Sequence, residues 1–261
     1  MTAFAFRHAR LKRQARSAAG AHFTALAEAC LTAQCCGRRQ HSTPIVSLGT
    51  HRRSAAMPSV VSGEQCMPDN TAKKDFPVVC VGGSAGGLDA YIRLLKHLPA
   101  DMGVAIVIVN HLRQVDTLLD EILPRFTQMP VERITEWLDL QPNHVFIIPP
   151  QRDLHVLDGE FRLEPISKPR GWPDVITVFL RSLTEHWDGK IIAVIVSGYD
   201  GDGAAALCGI KEVGGITIAQ KPETAVQPDM PASALASGCI DFVLSPEDIA
   251  REIVRIAHAV T

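Results

Sequence analysis

Several features that would assign this sequence of 261 residues to a class are missing from it. No apolar run approaches the 18 or more residues that a transmembrane helix needs, so we expect no membrane insertion. The net charge of −2 gives no general case for binding to nucleic acid. Seven cysteines in so long a chain do not indicate a disulfide framework, and no C-x-x-C pair indicates zinc. We expect a reducing, cytoplasmic location with buried free thiols at Cys80, Cys208 and Cys239.

The first 74 residues lack the pattern of the rest. The first 70 residues contain nine Lys/Arg and three Asp/Glu, whereas the remainder of the chain is net acidic. The Arg-rich, acid-poor start resembles an organelle transit peptide, and an alternative is that translation begins at Met57 or Met67. The composition favours a disordered or atypical tail over residues 1–74. We therefore expect residues 75–261 to form the folded domain.

Strand-like and helical segments alternate from residue 75 onward. Continuous apolar runs such as 104–109 and 191–196 are typical of parallel strands that helices cover on both faces. Asp158-Gly159 between two short runs predicts an antiparallel hairpin at an edge of the sheet. The pattern therefore predicts an α/β fold with a doubly wound, mainly parallel sheet.

Apolar periodicity also sets the expected bounds of each segment. Seven strands are predicted over residues 78–81, 104–109, 131–134, 145–148, 191–196, 216–219 and 242–244. Six helices are predicted over residues 88–97, 117–126, 175–186, 204–213, 232–237 and 246–258.

A glycine-rich turn around Ser84 separates the first strand from the first helix. Gly82-x-Ser84-x-Gly86 has the spacing of a nucleophile elbow, in which glycines allow a turn sharp enough to expose a serine hydroxyl. The N-terminus of the following helix supplies free N–H groups that suit an oxyanion. A phosphate-binding turn is the alternative, although neither G-x-G-x-x-G nor G-x-x-x-x-G-K-[ST] is present. Both interpretations stay open on this stretch alone.

Three residue types of a catalytic relay follow three predicted strands. Ser84 follows the first strand, His111 the second, and Asp200 and Asp202 the strand over 191–196. Because carboxyl ends of parallel strands share one edge, we expect these side chains to converge there. In a Ser-His-Asp relay the imidazole takes the hydroxyl proton and the carboxylate orients the imidazole. The simpler alternatives are a polar loop role for His111 and a helix N-cap role for Asp202.

The region from about residue 76 to 259 resembles the catalytic domain of CheB-type protein-glutamate methylesterases of bacterial chemotaxis. The motifs that carry the resemblance are Gly82-Gly83-Ser84-Ala85-Gly86-Gly87, Asn110-His111, Ser197-Gly198-Tyr199-Asp200-Gly201-Asp202-Gly203-Ala204, Ala219-Gln220-Lys221-Pro222 and Asp229-Met230-Pro231. They cover roughly 180 residues in the family's order, and together they are far more specific than any one motif.

The resemblance implies a serine-dependent carboxyl-ester hydrolase. Ser84 would be the nucleophile, His111 the general base and Asp202 the orienting carboxylate, with no metal or organic cofactor. The substrate would be glutamate methyl esters of a chemoreceptor-like helical protein, and glutamine deamidation is a related activity. Family members often carry an N-terminal receiver domain, for which residues 1–74 show no pattern. We therefore expect a stand-alone catalytic module, with any regulator acting in trans.

Three departures from the family pattern bear on the site. Tyr199-Asp200 replaces the usual Met-Gly, Ala85 replaces a threonine, and Arg113-Gln114 stands where proline is common. We expect Asp200 to be a nearby charge without a direct hydrogen bond to His111. The alternative function is a non-catalytic CheB-like signalling or binding module, and a nucleotide-binding α/β protein is a more distant one.

Overall fold

A seven-stranded parallel sheet runs through the computed structural model, which describes residues 75–111, 118–168, 171 and 173–260. The order of its strands is β3-β4-β2-β1-β7-β8-β9. The expected tail over residues 1–74 lies outside the described residues. The strands of the protein are β1 Val78–Gly83, β2 Ala105–Asn110, β3 Val131–Arg133, β4 Val145–Ile147, β5 Arg152–Leu157, β6 Glu160–Pro165, β7 Ile191–Ile195, β8 Ile216–Gln220 and β9 Phe242–Leu244.

Helices connect most of the parallel strands, although none lies between β3 and β4. In the described residues they are α1 Gly87–Leu95, α2 Leu119–Ile122, α3 Val175–His186, α4 Leu207–Glu212, α5 Asp229–Ala236 and α6 Pro246–Val260. The predicted helix over 117–126 is shorter than expected, because Pro124 has no N–H to donate and the chain continues there as a 3₁₀ turn. Among these helices, none combines the length and apolarity that a membrane span requires.

Both faces of the sheet are buried, which confirms the doubly wound architecture. Alternate residues of β1 enter two different cores: Val78 and Cys80 pack on the side of α3, whereas Val79 and Val81 pack on the side of α1 and α6. Fully burying a Val, Ile or Leu side chain stabilises a fold by about 1.5–3 kcal/mol. A strand that is apolar at every position therefore gains this stabilisation on both faces, and the same burial fixes the strand ends that form the site.

The predicted hairpin is antiparallel, and it forms a separate two-stranded sheet from β5 and β6. It does not extend an edge of the large sheet, whose edges are β3 and β9. Its apolar face carries Leu154, Val156 and Phe161, which are buried in the core on the α3 side. The Ser182 hydroxyl of α3 also accepts a hydrogen bond from the Val156 N–H at 2.9 Å. The hairpin therefore buries its apolar face against α3 and does not pair with an edge strand of the large sheet.

Two of the cysteines contradict the expectation of buried free thiols. Cys208 in α4 and Cys239 after α5 form a disulfide with a Cα–Cα distance of 5.2 Å, within the usual range. Cys208 is exposed and Cys239 is half-buried. Spacing alone carried no signal for this pair, because the fold brings together residues 31 positions apart. Cys80 is a buried free thiol as expected, and burial raises the pKa of that thiol.

Candidate active site

The turn after β1 leads sharply from the strand into α1, and Ser84 lies in it. Ser84 follows the last residue of β1, and its N–H donates to the Ser197 carbonyl at 2.9 Å. The Ser84 carbonyl then accepts from the Gly87 N–H at 2.9 Å, which closes the turn into α1. Gly86 has a φ of +77°, a left-handed conformation that glycine adopts without steric cost. The sequence therefore folds here as predicted, and Ser84 lies half-buried at the tip.

Two backbone amides beside Ser84 are free to bind an anion. Among the described residues, no protein acceptor is bonded to the N–H of Ala85 or of Gly86. Both precede the first turn of α1, a helix of nine residues whose N-terminal dipole is positive. Such amides suit the oxyanion of a tetrahedral intermediate.

Three strand ends meet around the turn. In the parallel register of β1 and β2, Gly83 lies opposite Asn110, so Ser84 and His111 are the next residues of two neighbouring strands. On the other side, the Ser197 hydroxyl donates to the Ala85 carbonyl at 2.8 Å. The loop after β7 is therefore joined directly to the turn.

Gly198 lets this loop lie close to the turn. A side chain at Gly198 would come within 1.9 Å of the Met230 sulfur and within 3.0 Å of Cβ of Ser84. A residue with a Cβ at this position would therefore force the buried Met230 side chain to shift.

His111 and Asp202 form a buried hydrogen-bonded pair. Nε2 of His111 lies 2.7 Å from Oδ2 of Asp202, and the two side chains are 3% and 2% exposed. The same oxygen accepts from the Ile176 N–H at 2.8 Å. The other oxygen accepts from the N–H of Thr177 at 2.9 Å and from its hydroxyl at 2.6 Å. Burial alone would raise the pKa of Asp202, but the hydrogen bonds from His111 and Thr177 outweigh it and lower this pKa.

These contacts show that Asp202 is not the N-cap of the helical segment that follows it. Gly203 holds the N-cap position of the helical segment that follows, without a side-chain bond. Asp202 instead binds the first amides of α3, a helix that precedes it by some 25 residues. Thr177 was missed by sequence reasoning, although its hydroxyl also accepts the Gly203 N–H at 2.9 Å. The only available signal was a threonine in the first turn of a predicted helix, which is weak.

Asp200 lies on the other ring nitrogen of His111. Its Oδ2 is 3.1 Å from Nδ1, and the Asp200 side chain is 16% exposed. The contact is ionic, and within the described residues neither atom has a hydrogen-bond partner although both are buried. Burial lowers the pKa of His111, but the carboxylates of Asp200 and Asp202 outweigh burial and raise this pKa to about 9. Asp200 is thus a direct ionic neighbour of the ring, closer than the sequence led us to expect.

A cavity of about 270 Å³ opens beside the two aspartates. Asp200, Asp202 and Thr177 line it together with Asp174 and Arg181 from the start and the exposed face of α3. A metal site is not evident: within the described ranges, no three His, Cys, Asp or Glu side chains lie close enough together to bind one.

Similar proteins carry the same domain. A family model described as CheB methylesterase matches residues 79–253. A Leptospira interrogans protein, provisionally named protein-glutamate methylesterase/protein-glutamine glutaminase, is 32% identical over 184 residues, which are 70% of this chain and 95% of that protein. Protein-glutamate methylesterase/protein-glutamine glutaminase 4 of Burkholderia thailandensis is 33% identical over 185 residues. There the match covers 70% of this chain but only 54% of the relative, so this chain spans about half of that protein.

A solved structure gives the same result. The crystal structure of the Thermotoga maritima CheB methylesterase catalytic domain matches with a TM-score of 0.62 and 26% sequence identity. The match covers 69% of this chain and 97% of that domain. With its seven-stranded sheet and its protein-glutamate methylesterase relatives, this chain belongs to the CheB methylesterase family.

Proposed function

We propose that this enzyme removes methyl groups from glutamate methyl esters of a chemoreceptor-like helical protein, with Ser84, His111 and Asp202 as a catalytic triad. The 2.7 Å pair between His111 and Asp202, formed at the strand ends that flank Ser84, is the observation that carries the proposal. The family and the names of the relatives support the ester-hydrolase chemistry. A cytoplasmic location and a regulator acting in trans stay predictions.

The proposed reaction runs in two halves, and in each half His111 acts first as a base and then as an acid. The Ser84 hydroxyl attacks the ester carbonyl while His111 takes its proton, and the Ala85 and Gly86 amides stabilise the oxyanion. His111 then gives the proton to the leaving methoxide, which departs as methanol and leaves an acyl-enzyme. Water then attacks the acyl-enzyme while His111 takes a proton from it, and His111 returns this proton to the departing Ser84 oxygen as the glutamate side chain is released. Glutamine deamidation follows the same path with ammonia as the leaving group.

Asp202 orients the base in this scheme. Five donors hold its carboxylate: the His111 ring, the amides of Ile176, Thr177 and Gly203, and the Thr177 hydroxyl. A carboxylate fixed in this way stays ionised and stabilises the imidazolium that forms when Ser84 loses its proton. Because Nε2 is bonded to Asp202, Nδ1 is the nitrogen that must accept the proton.

A non-catalytic signalling module is the second candidate, and one observation favours it. The structure describes both Ser84 and His111, and between these two residues it shows no hydrogen bond. Asp200 lies on Nδ1 instead.

Methanol release separates the two candidates. The purified full chain is incubated with a methyl-esterified receptor fragment at several pH values, with Ser84→Ala as the matched control. Methanol release that Ser84→Ala abolishes supports the enzyme. Binding of the fragment without methanol release, and no labelling of Ser84 by a fluorophosphonate probe, would favour the signalling module.

A further inference from the structure

We infer that Asp200 is a positioning residue that competes with the Ser84 hydroxyl for Nδ1 of His111, so that the nucleophile is activated only when this carboxylate moves away. The inference rests on the proposed triad. It concerns Asp200, which stands two residues before Asp202, at the position where the family motif usually has glycine.

The two ring nitrogens of His111 have different neighbours. Nε2 is committed to Asp202, whose carboxylate is fixed by α3. A neutral imidazole has one N–H and one lone pair, so only Nδ1 is left to accept the Ser84 proton. Asp200 lies 3.1 Å from that atom. With a carboxylate on each side, the ring is held as an imidazolium that has no lone pair for Ser84.

Asp200 is held on the ring by its own loop. Its Oδ1 accepts the Asp202 N–H at 3.0 Å, which fixes the two aspartates relative to each other. Its Oδ2 has no hydrogen-bond donor in the described residues, although it is buried. The side chain is therefore anchored through one oxygen and makes only an ionic contact through the other. The cavity of about 270 Å³ that Asp200 lines gives it room to leave, and Arg181 lines the same space as a cation.

The charges around the ring give the direction of the effect. The loop after β7 contributes the carboxylates of Asp200 and Asp202. The adjoining cavity is also lined by Arg181 of α3 and by Asp174, the residue before α3. From β1, the buried Cys80 thiol interacts electrostatically with Asp202. The two carboxylates stabilise the proton on the ring, in line with a His111 pKa of about 9. At pH 7 the neutral ring would then be the minority form, and its fraction would rise about tenfold for each pKa unit lost.

Two variants of Asp200 test the inference on the full chain. Asp200→Asn removes the charge but keeps an oxygen that can accept the Asp202 N–H, whereas Asp200→Gly removes both. Glu185→Gln removes one carboxylate from the exposed part of α3 and is the charge control. The readouts are the pH dependence of Ser84 labelling by a fluorophosphonate probe, the His111 ring pKa from NMR, and methanol release.

We expect both Asp200 variants to lower the ring pKa by at least one unit and to speed labelling at pH 7 at least tenfold, with the rate at high pH unchanged. Glu185→Gln should move neither quantity. An unchanged ring pKa in Asp200→Asn, or slower labelling at pH 7 in both variants, would overturn the inference. If the Asp200 variants are labelled faster at pH 7 but no variant releases methanol, the proposed substrate is wrong and the inferred role of Asp200 is supported. If Ser84 is labelled in no variant, both the proposed triad and the inferred role of Asp200 are wrong.

Discussion

Asp202→Asn is the most discriminating single substitution in this site. The carboxylate accepts two hydrogen bonds at Oδ2 and three at Oδ1. An asparagine has one acceptor oxygen, and we expect this oxygen to face the three donors at Thr177 and Gly203. Its NH₂ group then faces the Ile176 N–H and donates a hydrogen bond to Nε2 of His111. The Ile176 amide loses its acceptor, and Nε2 must accept a hydrogen bond instead of donating one.

These two consequences have separate magnitudes. One buried amide left without an acceptor costs about 1–3 kcal/mol of the free energy of unfolding, or roughly 2–4 °C of the thermal midpoint per kcal/mol in a domain of this size. The imidazole meanwhile is held in the tautomer with its proton on Nδ1, the nitrogen that should serve Ser84. In serine proteases the corresponding tautomer costs on the order of 10⁴ in kcat.

Both quantities are measured on the same preparation. kcat for one methyl-ester substrate is followed at pH values on either side of 9, and the thermal midpoint is recorded in parallel. Asp200→Asn is the matched control, because it should raise the rate at neutral pH whereas Asp202→Asn should nearly abolish it at every pH. A loss of less than tenfold in Asp202→Asn, or a crippling loss in Asp200→Asn, would show that the wrong aspartate has been assigned to the triad.

The remaining predictions address the other members of the site and the disulfide. Ser84→Ala and His111→Ala should each remove nearly all turnover, and the double variant should lose little more, since a relay is non-additive; a double loss equal to the product of the single losses would mean independent roles. Thr177→Val should lower kcat by freeing Asp202 from the hydroxyl, and Thr177→Ser should restore it; equal rates in both variants would remove Thr177 from the site. Reduction of Cys208–Cys239, or Cys208→Ser with Cys239→Ser, should lower the free energy of unfolding by about 3–4 kcal/mol for a loop of 31 residues; denaturant curves that are identical with and without reductant would contradict this.

The sequence predicted the parts of the fold that depend on local pattern. The bounds of α3 and of β9 agree with the predicted segments, and the turn at Ser84 and the strand end at His111 lie where apolar periodicity placed them. These features are local, because an apolar run, a glycine turn and a helical repeat each restrict the backbone over a few residues.

What the sequence could not predict depends on contacts between distant segments. The disulfide joins α4 to the chain beyond α5, and the hairpin packs on a helix that follows it in the chain. In the same way, Thr177 reaches Asp202 only because α3 begins beneath the loop after β7. The position of Asp200 on Nδ1 is a matter of side-chain direction, which motif spacing does not specify.

The attachment of Asp202 to the start of α3 also provides a reporter of the charge in the site. The backbone amides of Ile176 and Thr177 donate to this carboxylate. Their proton chemical shifts will follow the ionisation of Asp202 and the protonation of His111 beside it, and their rates of exchange with deuterium will follow its local opening. The two amide resonances can thus report, without any substrate, the fraction of His111 that is neutral and able to accept a proton.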